Sequence, residues 1–406
     1  MQQRRYPRFV TTAPVQHPSR PPSAGGFPTV AVVGGGQLAR MMQQAAIGLG
    51  VRLRLLATDP DDSAAQVIAD TRLGHHTDMA AVRAAAEGVA VLTFDHEHVP
   101  PDLLRELELA GVTVAPPAAA LVHAQDKLVM RERLTALGIG CPRWSRVRSG
   151  AEVEAFAADV GWPVVLKTPR GGYDGKGVAV LRAVDDIAAV DDWFTSFPQG
   201  VLVEEMVDFT RELAVLVARS ASGQAAAWQV VQTVQVDGVC DEVLAPAPGL
   251  SPELAAAATR DALRIAGELG VTGVMAVEGF QTPDGRFLVN ELAMRPHNSG
   301  HWTIDGSSTS QFEQHLRAVL DLPLGDVRAR SRWTVMANVL GGAHEDLYRS
   351  YLHVMAHDPA IKVHLYGKGV RPGRKVGHVT ACGDDLEQVR ARARHAADFI
   401  KGVIDS

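Results

Sequence analysis

The chain has 406 residues, a formal net charge of −6 and 46% hydrophobic against 21% charged residues, the balance of a globular protein with room for two or three domains. The negative charge and an aromatic content of 5% argue against a basic, base-stacking nucleic-acid surface, and no apolar run approaches a membrane span. Three scattered cysteines, Cys141, Cys240 and Cys382, without a C-x-x-C pair, suggest neither a disulfide framework nor a zinc site and point to a reducing cytoplasm.

Residues 1–28 are rich in proline and arginine, lack acids and have no apolar core of a secretory signal. They are expected to be a disordered extension or a start-site artefact, outside the fold. Thr29 to Val33 then reads as a strand, and Gly34-Gly-Gly-Gln-Leu-Ala-Arg as a glycine turn entering a helix, the opening of a doubly wound α/β unit. With Asp59 after the next strand, Leu53 to Ala57, this turn allows a nicotinamide dinucleotide; the alternative, which the turn suits better, is a substrate's phosphate monoester at the helix N-terminus. Gly88 to Asp95 is a further strand. It runs into His96-Glu97-His98, placed at a strand's carboxyl end and read as a substrate contact rather than a metal site. Val112 to Ala115 closes this domain as a last short strand before Pro116-Pro117.

Asp126 to Leu137 has helical spacing and carries Lys127. After a helix over Ala151 to Val160, Val164-Val-Leu-Lys167 is a buried strand ending on a lysine. The glycine-rich Gly171-Gly-Tyr-Asp-Gly-Lys-Gly177 and a returning strand, Val178 to Leu181, follow. Such a hairpin loop can fold over a polyphosphate, because glycines let backbone N–H groups approach anionic oxygens. A helix is expected over Asp185 to Phe194. Strands are expected over Val201 to Val207, Glu212 to Ala218 and Ala225 to Val236, then a long helix from Pro252 to Leu269.

Gly273 to Gly279 and Phe287 to Leu292 form a hairpin across Pro283-Asp-Gly285, presenting Glu278, Asn290 and Glu291. Inward carboxylates need a cation, and oxygen-only ligands suit Mg²⁺ beside substrate phosphates. Met294-Arg-Pro-His-Asn-Ser-Gly-His-Trp302 reads as a functional loop. A helix is expected over Ser310 to Leu320. The basic Gly367 to His378 segment reads as an anion site in a small last region, which ends in a helix over Asp384 to Phe399.

Two lysines, a glycine lid, a strand ending in acids and a carboxylate pair, in this order, resemble the ATP-grasp superfamily. The motifs G-G-G-Q-L-A-R-M from Gly34, G-G-Y-D-G-K-G from Gly171, R-P-H-N-S-G-H-W-T from Arg295 and R-P-G-R-K-V-G-H from Arg371 are similar to those of the 5-(carboxyamino)imidazole ribonucleotide synthase family. The resemblance runs from about Thr29 to the C-terminus. It implies an α/β fold: a doubly wound parallel-sheet domain over 29–124, an ATP-grasp domain over 125–325 and a small α+β domain over 326–406. It also implies a cytoplasmic homodimer that uses ATP and Mg²⁺, with Mn²⁺ as a substitute, to carboxylate 5-aminoimidazole ribonucleotide with bicarbonate through carboxyphosphate.

Carried over by motif, ATP would meet Lys127, Lys167, Gly172, Tyr173, Asp174, Gly175, Lys176, Gly177, Val178, Glu204, Glu205, Met206, Val207, Glu212, Gln235, Asn290 and Glu291, with Glu278 and Glu291 as metal ligands. The ribonucleotide would meet Gln37, Glu97, Tyr173, Asp174, Lys176, Arg374 and Lys375, with Asp174 on its amine. Arg295 and His297 would face bicarbonate or carboxyphosphate, and Lys375 joins Tyr173, Asp174, Arg295 and His297 as the expected catalytic set. Asp95 stands where the family commonly has glutamate and Lys176 where it often has arginine, losing a bidentate phosphate contact. A formate-dependent glycinamide ribonucleotide transformylase, a biotin-dependent carboxylase, a nicotinamide oxidoreductase and a silent nucleotide sensor are the competing readings.

Overall fold

The structure, a computed structural model, describes residues 26–172 and 177–404. It opens on β1 (Thr29–Val33), whose last four residues are buried in succession, as in a parallel strand covered on both faces. Next come α1 (Gln37–Leu49), β2 (Arg52–Ala57), β3 (Asp70–Leu73), α2 (Met79–Ala86), β4 (Val91–Phe94), α3 (Pro101–Leu109) and α4 (Ala118–Gln125). The strands pair in parallel in the order β3-β2-β1-β4. The order reverses between β1 and β4, so a crevice opens at their carboxyl ends. The strand expected at Val112 to Ala115 is reduced to one bridge, Val114 to Leu92, because Pro116 and Pro117 offer no N–H to a ladder.

The chain continues through α5 (Lys127–Ala136), β5 (Trp144–Val147), α6 (Gly150–Val160), β6 (Val164–Lys167), β7 (Val178–Leu181), α7 (Asp191–Ser196) and β8 (Val201–Glu205). Asp126 caps α5 by accepting from the Leu128 and Val129 amides. The strands form an antiparallel sheet, β5-β8-β6-β7, in which Lys167 faces Val178 across the mouth of the glycine-rich hairpin. The helix expected at Asp185 to Phe194 is instead a 3₁₀ turn, Val184–Val190, followed by α7. The Asp186 carboxylate accepts the Arg182 amide, and a second acidic pair, Asp191 and Asp192, starts a new helix N-terminus.

The rest is β9 (Arg211–Arg219), β10 (Ala225–Ala227), β11 (Val231–Val236), β12 (Val239–Ala245), α8 (Pro252–Glu268), β13 (Gly273–Gln281), β14 (Phe287–Ala293), α9 (Thr303–Gly306), α10 (Gln311–Val319), β15 (Trp333–Leu340), α11 (Ser350–His357), β16 (Lys362–Leu365), β17 (Lys375–Gly383) and α12 (Leu386–Lys401). Among the described residues these strands make one antiparallel sheet, β14-β13-β9-β11-β12-β15-β17-β16, with β10 on β9. The sheet crosses the expected boundary at residue 325, since Glu242 to Ala245 pair with Ala337 to Thr334. The single strand expected over Ala225 to Val236 is split because Trp228 turns inward, its Nε1 donating to Ser307 Oγ and Thr309 O at 3.2 Å each. Helix α10 packs against both α1 and β13, which fixes the parallel-sheet crevice against the large sheet. Among the described residues no helix is long and apolar enough to cross a membrane.

Candidate active site

The hairpin of β13 and β14 is the centre of the cleft. Glu278 stands directly opposite Glu291. The register shifts just beyond this pair, where Gly279 pairs with Val289 and Asn290 is left over as a bulge. Gly279 suits this spot, because a Cβ there would lie 2.7 Å from the Phe287 ring. The bulge frees Asn290 to accept from Lys167 Nζ through Oδ1 at 2.9 Å, while its carbonyl accepts from Arg131 Nη2 at 2.7 Å.

Glu204, at the end of β8, sits between two cations. One carboxylate oxygen is 2.5 Å from Arg131 Nε and the other 2.7 Å from Lys167 Nζ. Arg131 is 0% and Glu204 2% exposed, so this is a fully desolvated network. Burial opposes the charge on Glu204, yet Arg131 and Lys167 hold it below the usual carboxylate range. Its side chain is thus occupied and its main chain lies in the sheet between β5 and β6, so the stretch just beyond it, half-buried Glu205 and Val207 with exposed Met206, is what remains to meet a ligand. Arg131 went unnoticed in the sequence. It lies four residues after Lys127, one helical turn along the same face of α5, and that spacing is the signal that marks it.

The carboxylate pair is differently placed. Burial raises Glu291, and the neighbouring Glu278 raises it further, against the pull of Lys127 and Lys167. Glu291 is exposed, and its carboxylate opens on the cleft. Glu278, although burial works against it, is held low by His297, whose Nε2 is 3.0 Å from Glu278 Oε1. Two carboxylates facing each other across a strand pair and opening on the cleft fit a hard divalent cation such as Mg²⁺. Burial lowers Lys127 against the attraction of Glu291, and it raises Glu212 against a hydrogen bond from the Gln235 side chain. Lys127, Lys167, Glu204, Glu212, Gln235, Glu278, Asn290 and Glu291 therefore share one cleft, and Gly177 and Val178 border it through β7. Tyr173, Asp174, Gly175 and Lys176 lie outside the described residues.

Beyond His297 the cleft reaches the parallel sheet. Arg295 Nε is 2.7 Å from Glu97 Oε2, and the Met294 amide donates to Glu97 Oε1 at 3.1 Å. Asp95 accepts from the Gly36 and Ala39 amides, so it, rather than a ligand, caps α1. Gly34 and Gly36 have no room for a Cβ: it would meet His96 and Asp95 respectively. Burial pushes Asp95 up to about 6, against those two amides. A carboxylate on this N-terminus leaves no place for a dinucleotide pyrophosphate, and the nicotinamide alternative loses its anchor. Gln37 accepts from Lys368 Nζ, and Lys368, whose lysine value burial lowers, feels Asp95, Arg374 and Lys375. Lys375 in turn acts on Glu278. Lys368 belongs to the basic Gly367 to His378 segment read as an anion site, although it lies outside the family motif that begins at Arg371.

The loop between β14 and α9 is held from behind. Gln311 clamps His297, its Oε1 accepting the backbone N–H and its Nε2 donating to the carbonyl, at 2.8 Å each. His297 Nδ1 lies 2.9 Å from Ser299 Oγ, and Asn298 exchanges amide hydrogen bonds with Asn338 of β15. The His301 and His378 rings lie 5.0 Å apart beneath this loop.

Residues 27–125 match the ribonucleotide synthetase preATP-grasp domain, 132–312 the ATP-grasp domain, and 334–392 the phosphoribosylaminoimidazole carboxylase C-terminal domain. The chain is 57% identical over 387 residues to the N5-carboxyaminoimidazole ribonucleotide synthase of Mycobacterium bovis, covering 94% of this chain and 90% of that one. The enzyme of the same name from Corynebacterium ammoniagenes is 51% identical over 92% of each chain. Among solved structures, the Aspergillus clavatus enzyme complexed with ATP superposes with a TM-score of 0.85 at 31% identity, over 93% of this chain and 99% of that one. The same fungal enzyme with ADP and 5-aminoimidazole ribonucleotide gives 0.84 at 30%, over 92% and 98%.

Proposed function

The chain belongs to the N5-carboxyaminoimidazole ribonucleotide synthase family, and from that premise we propose how its cleft works. It has the ATP-grasp fold behind a parallel-sheet preATP-grasp domain, and it is an ATP-dependent ligase of purine biosynthesis. It joins 5-aminoimidazole ribonucleotide to bicarbonate at the expense of ATP, releasing ADP and phosphate. The observation that carries the reading is the unbroken series of charged side chains from Lys127, through the carboxylate pair and Arg295, to Lys368 and Arg374. It has a phosphate-and-metal end on the large sheet and a second anion-binding end at the crevice of the parallel sheet.

Lys127 and Lys167 neutralise the ATP phosphates, while the backbone of Glu204 to Val207 borders the purine and Glu212, with Gln235, takes the ribose hydroxyls. Glu278 and Glu291 would hold Mg²⁺ or Mn²⁺, which when bound would offset phosphate charge. Arg295 and His297 hold bicarbonate in line with the γ-phosphorus. A bicarbonate oxygen forms the new P–O bond as the bond to the β-phosphate bridging oxygen breaks, giving ADP and carboxyphosphate. Carboxyphosphate releases phosphate and CO₂ within the closed site. The exocyclic nitrogen of the ribonucleotide forms the C–N bond to CO₂, and its proton passes to Asp174. Arg374, Lys375, Gln37, Tyr173 and Lys176 surround that ribonucleotide. Arg295 depends on Glu97 for its orientation.

The three cysteines are unpaired, which suits work in the cytoplasm, and the family resemblance carries the expectation of a homodimer, checked by sedimentation. The test of function is ADP release with Mg·ATP and bicarbonate, with and without 5-aminoimidazole ribonucleotide. Stimulation by the ribonucleotide that vanishes without bicarbonate supports the assignment. Turnover instead with formate and glycinamide ribonucleotide moves the chain to the sister transformylase.

A further inference from the structure

Helix α11 places His353 and His357 four residues apart, on one face, one turn above the other. Helix α12 packs against it and brings His395 to the same point. His353 Nε2 and His395 Nε2 are 3.1 Å apart, and the His357 and His395 rings stack at 4.1 Å. One ring nitrogen from each of the three lies within 4.8 Å of the other two, and among the described residues no other group of His, Cys, Asp or Glu does this. We propose that His353, His357 and His395 form a binding site for a transition-metal dication of the Zn²⁺, Co²⁺ or Ni²⁺ type, separate from the carboxylate pair of the cleft.

Geometry and chemistry both point this way. Zinc–imidazole bonds of about 2.0–2.1 Å in a tetrahedral complex put neighbouring ligand nitrogens about 3.3 Å apart. The His353–His395 separation already matches, and His357, the exposed member, has a ring nitrogen within 4.8 Å of both. The His353 ring is held by stacking on Phe399 at 3.7 Å and 11°, so one ligand is pre-oriented. Three imidazoles with no carboxylate among them select borderline metals and reject Mg²⁺, which wants oxygen. Asp398, one turn further along α12, adds a nearby negative charge. The fourth position falls to water, since the site is open to solvent at His357. Bound metal would tie α11 to α12, and so clamp the last helix over β15 and β17.

The experiment uses the full-length protein without a histidine tag, in excess Mg²⁺, titrated with Co²⁺ and followed by its visible absorption, then displaced with Zn²⁺. The expected result is saturable binding of a single Co²⁺ per chain, weakened by more than about tenfold in His353→Asn and His395→Asn. Zn²⁺ should raise Tm by roughly a few degrees in wild type and not in these variants. Both variants should keep Mg·ATP turnover, which shows them folded. In unmodified protein, Zn²⁺ should protect His353, His357 and His395 from acylation by diethyl pyrocarbonate, read by peptide mass. Absence of saturable binding, equal binding by the variants, or no protection of these three residues overturns the proposal. So does loss of the Co²⁺ signal in His96→Asn, which would move the metal to the imidazoles of His75, His76, His96 and His98.

Discussion

Two groups of carboxylates lie side by side in the cleft and are treated in opposite ways. Glu204 has a guanidinium on one oxygen and an ammonium on the other, and is held low. Glu291 faces another carboxylate across a strand pair and is pushed up. The first group is complete within the protein, so it stiffens the cleft. The second sets Glu291 against Glu278, with its cations around the pair rather than on Glu291's own oxygens, so it suits a cation that arrives with the nucleotide. A cleft acid's role thus follows from how its own chain opposes or supplies its counter-charge.

Breaking the complete group should cost most. Glu204→Gln leaves Arg131 buried without its partner and should lower stability by about 3–5 kcal/mol, measured by denaturant unfolding. Arg131→Met, which strips one cation from Glu204, should destabilise in the same direction. Breaking the carboxylate pair should act on turnover instead. Glu291→Gln should reduce kcat by roughly 100- to 1,000-fold, while stability in EDTA holds or rises because a like-charge contact is gone. Loss of stability in Glu291→Gln comparable with that of Glu204→Gln would erase the distinction.

Asp95 is an intermediate case, satisfied by amides instead of cations. Its carboxyl lies at about 6 in the folded protein against an ordinary 3.8, so the folded state binds the proton more tightly. Stability from this group is therefore lost as pH rises from about 4 through 6, by about 3 kcal/mol. Asp95→Asn should remove that slope, read as a gain relative to wild type between pH 4 and pH 7. The smallest effect is expected at Glu97, which is paired but lies at the cleft's far end. Glu97→Gln should loosen Arg295 and raise the bicarbonate KM by about tenfold, a loss of one charge-assisted hydrogen bond, with little change in unfolding. A uniform fall in kcat without a KM change would place Arg295 elsewhere in the reaction.

Much of this was legible in local spacing. The strand and glycine turn at Thr29 to Gly36, the hairpin at Gly273 to Leu292 and the lysine at the end of β6 are short-range patterns, and short-range patterns survive in a single sequence. The sequence also contained the family motifs that carry ATP, bicarbonate and the ribonucleotide as expectations. What it did not contain is relative placement. That Glu278 faces Glu291 depends on the bulge at Asn290, since a register continued unbroken from Gly279 and Val289 would set Glu278 against Asn290 instead. That Glu204 is spoken for depends on Arg131, which is 73 residues away in the chain. The contact of Gln37 with Lys368 and that of His353 with His395 likewise join segments with no common pattern. Periodicity and motif report which groups a segment carries. Only the packing of distant segments decides which charges meet, and the charges that meet set which acids stay ionised, which helix end is filled and where a metal can sit.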